Sequence, residues 1–320
     1  MSEFHVKVVR VGELSKHPNA DSLSLTKVHD YPVIVRTGDY RPGDLAVYVP
    51  VDSVVPATET FAFLAEHRRI RAKRLRGIFS MGLLVPAPAG LSEGDDARGV
   101  LGIEKYEPPE PLTMGGENER DPGFIPIYTD IEGLRRWPNA LQSGEDVVLT
   151  EKIHGANGRF LFHEGRLWVG SHKCIKKPDP TNMWWRIAAQ YDLENKLQRC
   201  PGIVVYGEVF GAVQDLKYGT KNGELRFALF DALNVATREY LHYQEFLALA
   251  RALELPTVPE LYSGPWSEDH RCYAEGPSTI ADHVREGFVV RPRVERFSEE
   301  LGGRCVLKLI GEGYMLKGKQ

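Results

Sequence analysis

The sequence predicts an α+β protein of two domains: a small N-terminal β-barrel of the OB type, then a larger domain of strands separated by helical stretches. Three observations carry this. Residues 1–105 hold short β-branched runs punctuated by turn clusters. Residues 106–123, YEPPEPLTMGGENERDPG, are rich in Pro, Gly and Glu, as a linker is. Residues 124–320 mix strand-like runs with segments of helical spacing. A length of 320 residues suits two domains of roughly 150 residues each.

Taken in order, FHVKVVRV alternates, and YPVIVRTG and LAVYVPVDSVV are β-branched, with TGDYRPGD as a turn between them. Short strands at this spacing suit a small barrel. HPNAD at 17–21 is turn chemistry: Pro18 fixes φ, while Asn19 and Asp21 can cap backbone amides. RRIRAKRLRG places Arg68, Arg69, Arg71, Lys73, Arg74 and Arg76 within nine residues. These are candidate phosphate contacts, though a solvated charged loop accounts for them equally well. In the second half YQEFLALARALEL reads as a surface helix with its leucines in the core.

Composition narrows the class. An apolar share of 42% supports real cores, and 26% charged residues are ordinary for a globular protein. The net charge of −4 does not advertise a nucleic-acid binder, but binding follows local charge and not the total. Cys174, Cys200, Cys272 and Cys305 are scattered and form no CxxC, which argues for reduced thiols in a cytoplasmic protein. No apolar run approaches the roughly 20 residues of a membrane helix, and MSEFHVKVVRV does not read as a leader.

The chemistry centres on EKIHGANGRF at 151–160, where an apolar run, EDVVLT, breaks into small and polar residues. A strand that delivers Lys152 into a pocket would read this way. Five later segments each set a polar residue into an apolar strand pattern. VVYGEVFG puts Glu208 on the face of Tyr206 and Phe210, and FALFDAL puts Phe230 and Asp231 on opposite faces. EGFVVRP aligns Glu286 with Phe288 and Val290, CVLKLIGEGY sets Lys308 between Val306 and Ile310, and VGSHK ends a strand in Ser171, His172 and Lys173. A buried carboxylate needs a metal, a hydroxyl or a cation as partner. Singly, each residue has an ordinary structural reading as an edge charge or core aromatic; their order together is harder to dismiss.

That order, with Lys152-Ile-His154-Gly155-Ala-Asn157 at its head, resembles the covalent nucleotidyltransferases: ATP-dependent ligases and mRNA capping enzymes. DNA ligases and capping enzymes usually carry Asp where His154 stands, so the resemblance favours ATP-dependent RNA ligases of the T4 RNA ligase 2 type. An N-terminal OB domain and an end soon after the last motif resemble the Deinococcus radiodurans group of nick-sealing RNA ligases, over nearly the whole chain. HPNADSL is also similar to tRNA-binding OB modules.

The resemblance implies a nucleotidyltransferase domain of antiparallel sheets flanked by helices, with ATP and a divalent metal (Mg2+ or Mn2+) as cofactors. Lys152 would be the nucleophile, with His154 behind it and Lys308 on the α-phosphate. Phe230 would stack on adenine, Glu208 would bind a ribose hydroxyl, and Glu151, Asn157, Arg159 and Lys173 would contact the nucleotide. Glu286 and Asp231 would serve the metal. Nearby cations, Lys308, Lys173 or the metal, would depress the Lys152 pKa so that a neutral amine attacks. The substrate implied is a nicked duplex containing RNA, sealed by a monomer in RNA repair. One departure stands out: many relatives carry two lysines spaced K-x-K in the last motif, and here Lys308 stands alone unless Lys317 or Arg304 takes the other part. The competing reading is an RNA-binding protein on a retired nucleotidyltransferase fold, which the presence of Lys152, Glu208 and Glu286 opposes.

Overall fold

The structure is a computed structural model and describes residues 4–106, 116–221 and 223–317. Most of the proline-rich linker, 107–115, lies outside the described residues. The chain forms two compact units. The first comprises residues 4–106 with Gly133–Pro138 and 315–317; the second comprises 116–132 and Asn139–Tyr314.

The first unit is built from short antiparallel strands. Val8–Arg10, Leu45–Val49 and Leu83–Pro86 form one sheet, with Val8 opposite Val47 and Tyr48 opposite Leu84. Ser15–Lys16, Leu23–Val28 and Tyr31–Arg36 form another. Alternation in these runs sends Val6, Val8, Val47 and Val49 into one fully buried cluster, joined by Phe61 and Ile103. Tyr48, Val28, Val33 and Leu84 fill a second.

In the second unit a seven-stranded antiparallel sheet runs Asn118–Glu119, Ile175–Lys176, Arg166–Ser171, Ala156–His163, Ile203–Gly211, Leu225–Asn234, Glu239–Tyr240. Residues 118–119, expected in the linker, are thus its edge strand. A second antiparallel sheet includes Leu307–Ile310, Gly287–Pro292, Asp146–Glu151 and Glu260–Pro265, adjacent in that order.

Helices cover one face of the larger sheet. Met183–Gln190 starts at Asn182, whose side chain caps the amides of Trp184 and Trp185. Tyr243–Ala252 buries Tyr243, Phe246 and Ala250, and the partly buried Leu247 and Leu249 pack against the same cluster, so these leucines edge the core rather than form a binding stripe. Among the described residues no helix is long and apolar enough to cross a membrane.

Candidate active site

A cavity of about 110 Å³ in the second unit is lined by Thr150, Lys152, Asn157, Glu208, Phe230 and Arg291, among others. Lys152 follows the last residue of the strand Asp146–Glu151, and its N–H still donates to the Gly287 carbonyl at 3.0 Å. The chain then leaves the sheet. The His154 N–H donates to the Tyr218 hydroxyl at 2.6 Å, which fixes the loop. Gly155 is obligatory here, because a Cβ at that position would overlap the carbonyl oxygen of Val209.

Lys152 Nζ lies 2.9 Å from Glu286 Oε1. Burial alone would lower the lysine pKa, but the carboxylates of Glu286 and Glu208 outweigh it and hold the ammonium above its ordinary value. This corrects the expectation of a lysine depressed by nearby cations: in the protein by itself, carboxylates dominate its surroundings. The Glu286 carboxyl, which burial would raise, is held below the usual range by Lys152 and His154. Glu208 has weaker support. Burial pushes it up to about 7, with Lys152 opposing and Glu286 assisting.

His154 bridges these groups. Its Nε2 is 2.9 Å from Asp215 Oδ1, its Nδ1 is 3.1 Å from the Tyr314 hydroxyl, and Glu286 Oε2 lies 3.5 Å from Nδ1. Burial lowers its pKa, but Glu286 and then Asp215 raise it to a net value above that of an ordinary histidine.

The aromatic wall comes from a break in strand alternation. Tyr206 pairs with Asp231 while the next residue, Gly207, pairs with Leu229, so Phe230 is the extra residue of a β-bulge. Phe230 and Asp231 therefore do not sit on opposite faces: the Phe230 ring packs edge-on against Tyr128 at 4.9 Å, and Asp231 accepts from the same Tyr128 hydroxyl at 2.8 Å. Lys308 stands opposite Val289, a cavity-lining residue, so the register directs its side chain to the cavity face of the smaller sheet. Asn157 stands opposite Glu208, and the Trp184 indole steadies it by donating to its carbonyl at 2.9 Å.

Four expected contacts are corrected. Asp231 is fully buried, and its oxygens accept from Arg291 at 2.7 Å, Arg304 at 2.6 Å and Tyr128. Its carboxyl, raised by burial, is brought below the ordinary range by the two arginines, and it is an ion-pair node rather than a metal ligand. Arg159 is also fully buried, donates from all three guanidinium nitrogens to the Ser171 and Ile125 carbonyls and to Asp121, and does not line the cavity. Lys173 is exposed past the end of its strand and does not line the cavity. Glu151 borders the cavity, but its carboxylate accepts from Ser278 and Thr279, so its side chain is committed within the protein. Arg304 cannot replace a second lysine either, because Glu295 and Asp231 occupy its guanidinium.

In the first unit, Arg69 is likewise committed: it donates to Asp52 and stacks over Tyr106 at 3.4 Å. Arg68, Arg71, Lys73, Arg74 and Arg76 are exposed.

Sequence reading missed Tyr128, Arg291 and Tyr314. Tyr128 sits in FIPIYTDI and Arg291 ends EGFVVR, both apolar contexts in which a core role is the natural inference.

Three polar atoms around the site are buried without a hydrogen-bond partner: Glu286 Oε2, Asn157 Oδ1 and Arg291 Nη2. Such atoms suit a bound ligand or ion. Among the described residues no group of three or more His, Cys, Asp or Glu converges on one metal position. One or two carboxylates nevertheless suit a magnesium-like ion, which keeps its waters and takes substrate phosphate oxygens. Glu286, whose Oε2 accepts no hydrogen bond although His154 Nδ1 lies 3.5 Å away, fits that requirement.

Comparisons with known proteins agree with this geometry. The RNA ligase family model matches residues 145–310, just over half of the chain. An OB-fold domain model matches residues 5–87. The structure of Naegleria gruberi RNA ligase with pyrophosphate is similar at a TM-score of 0.86 and 25% identity, over 99% of both chains. A variant of that enzyme with ATP and manganese gives 0.87 and 25%, and one with AMP and manganese gives 0.87 and 24%, each over 99% of both chains. No curated protein sequence gives a match. The N-terminal unit is accordingly an OB-fold domain, the second is sheet-rich with few helices, and the chain belongs to the RNA ligase family.

Proposed function

We propose that this protein is an ATP-dependent RNA ligase that seals breaks bearing 3′-hydroxyl and 5′-phosphate ends in RNA-containing duplexes, as a cytoplasmic monomer in RNA repair. The observation that carries this reading is Lys152, held at 2.9 Å by Glu286 at the edge of a cavity walled by Phe230 and Tyr128.

The adenine of ATP stacks on Phe230, whose ring is braced by Tyr128. The unpartnered Asn157 Oδ1 and Arg291 Nη2 offer one acceptor and one donor to the nucleoside. Glu208, when ionised, accepts from a ribose hydroxyl. Lys152 rests as an ammonium and must release its proton to solvent before it attacks. Glu286 would hold a divalent metal, which would supply positive charge beside Lys152 and against the phosphate oxygens.

The neutral amine then forms a bond to the α-phosphorus, and the bond to pyrophosphate breaks in line. A 5′-phosphate oxygen of the RNA next displaces Lys152, which regains a proton, and AMP now caps the strand through a pyrophosphate linkage. Finally the 3′-hydroxyl oxygen attacks the 5′-phosphate, loses its proton, and expels AMP. Lys308 faces the α-phosphate and stabilises its charge in each displacement. The exposed Arg68, Arg71, Lys73, Arg74 and Arg76 take backbone phosphates.

The test is incubation with α-labelled ATP and magnesium or manganese, followed by denaturation. Acid-sensitive label is expected on the chain and absent from Lys152→Ala. Folded protein, free of preloaded AMP, that takes no label from ATP would rule out the ligase reading.

A further inference from the structure

The HPNAD turn takes no part in the chemistry at Lys152, yet its side chains are not idle. They close on the tip of a hairpin in the same unit. Lys73–Leu75 and Ile78–Ser80 pair across Arg76 and Gly77, whose φ angles are 49° and 90°. Two central residues at positive φ make the tight turn that twisted hairpins favour, but a non-glycine residue such as Arg76 sits there at a cost. Strands of three residues are marginal without outside support.

His17 and Asn19 provide that support. His17 is fully buried, with its Nε2 3.1 Å from the Leu75 carbonyl. Its Nδ1 accepts from the Asn19 N–H at 3.0 Å, so the ring proton resides on Nε2 and is donated to Leu75. The Asn19 amide donates to the Arg76 carbonyl at 2.9 Å. At the root of the hairpin Ala72, Phe79 and Met81 pack with Tyr31 and Val51. Between these anchors Lys73, Arg74, Leu75 and Arg76 are all exposed. Arg71, Lys73 and Arg76 form no ion pair among the described residues, unlike Arg69, which Asp52 holds.

We infer that the HPNAD turn is a positioning brace: it locks the 73–80 hairpin as a preordered basic finger for the phosphate backbone of the RNA. Ordering the finger in advance removes an entropy cost from RNA binding. The inference rests on the ligase reading above.

The experiment compares wild type, Asn19→Ala, Lys73→Ala/Arg76→Ala and the triple variant, with a nicked RNA duplex as substrate. Asn19→Ala is expected to raise the KM for RNA about two- to tenfold, the equivalent of one hydrogen bond, with kcat and RNA-free lysyl-AMP formation unchanged. Loss of the two cations is expected to flatten the dependence of log KM on log salt by about 0.7–0.9 per charge. In that background Asn19→Ala is expected to raise KM by less than it does in the wild type, because only Arg74 remains on the finger to be misplaced. An unchanged KM in Asn19→Ala, or an equal rise with Lys73 and Arg76 already removed, overturns the brace. A wild type that forms no lysyl-AMP refutes the ligase reading instead.

Discussion

Replacing Asp231 separates a structural carboxylate from a metal-binding one. Its side chain is fully buried and accepts from Arg291 at 2.7 Å, Arg304 at 2.6 Å and Tyr128 at 2.8 Å. Asp231→Ala leaves two arginines facing a cavity in a low-dielectric interior. Breaking a buried pair in this way costs about 3–5 kcal/mol. Glu295 retains Arg304 through two contacts and Arg291 through one at 3.3 Å, which places the loss near the lower end, about 3 kcal/mol. For a unit of this size that is a fall of about 6–12 °C in Tm, read by thermal and urea unfolding. Asp231→Asn keeps the volume and part of the bonding, so it costs less, about 1–2 kcal/mol. In that variant the metal concentration giving half-maximal lysyl-AMP formation is expected to match the wild type. Unimpaired stability in Asp231→Ala, together with a roughly tenfold higher metal requirement in Asp231→Asn, would refute the ion-pair assignment.

Two further outcomes follow from the loop and its neighbours. Glu208 has its pKa raised from 4.5 to about 7, so its contribution to stability is complete below pH 4.5 and is lost as pH rises to 7. That rise is worth on the order of 3 kcal/mol, and Glu208→Gln is expected to flatten the fall in Tm between pH 5 and 7.5; parallel profiles for the two proteins would show that Glu208 does not titrate there. Gly155→Ala forces the Lys152 loop away from Val209 and is expected to slow lysyl-AMP formation about 100-fold with the circular dichroism unchanged, so near-normal single-turnover rates would mean the loop tolerates the shift.

Local signals made much of the site legible. Lys152, Glu208 and Glu286 each interrupt an apolar strand pattern, and a charge in such a place must find a partner or a ligand. Their order along the chain was enough to indicate the family that the comparisons show. The helix Tyr243–Ala252 was legible for the same reason, since Tyr243, Phe246 and Ala250 recur at helical spacing.

Other features depend on contacts between segments far apart in sequence. Arg159 stands two residues after Asn157 in one motif, yet Ser171, Ile125 and Asp121 draw its guanidinium into the interior while Asn157 lines the cavity. Asp231 is adjacent to Phe230, but it is claimed by Arg291 and Arg304, 60 and 73 positions away. The bulge that turns Phe230 toward Tyr128 arises from the register between two strands, and a period of two within one strand cannot reveal it. The surroundings of Lys152 are hidden for the same reason: the chain shows which charges exist, while only the fold shows that Glu286 and Glu208 are the ones beside it.

By itself, then, the sequence determined the residue types able to do phosphoryl transfer, the two-part α+β organisation and the family, because strand periodicity and motif order are local properties of the chain. The tertiary structure alone decided which polar groups face the cavity and which satisfy one another in the interior. Burial makes an unpaired charge costly, so the partners available in three dimensions settle the part each residue plays.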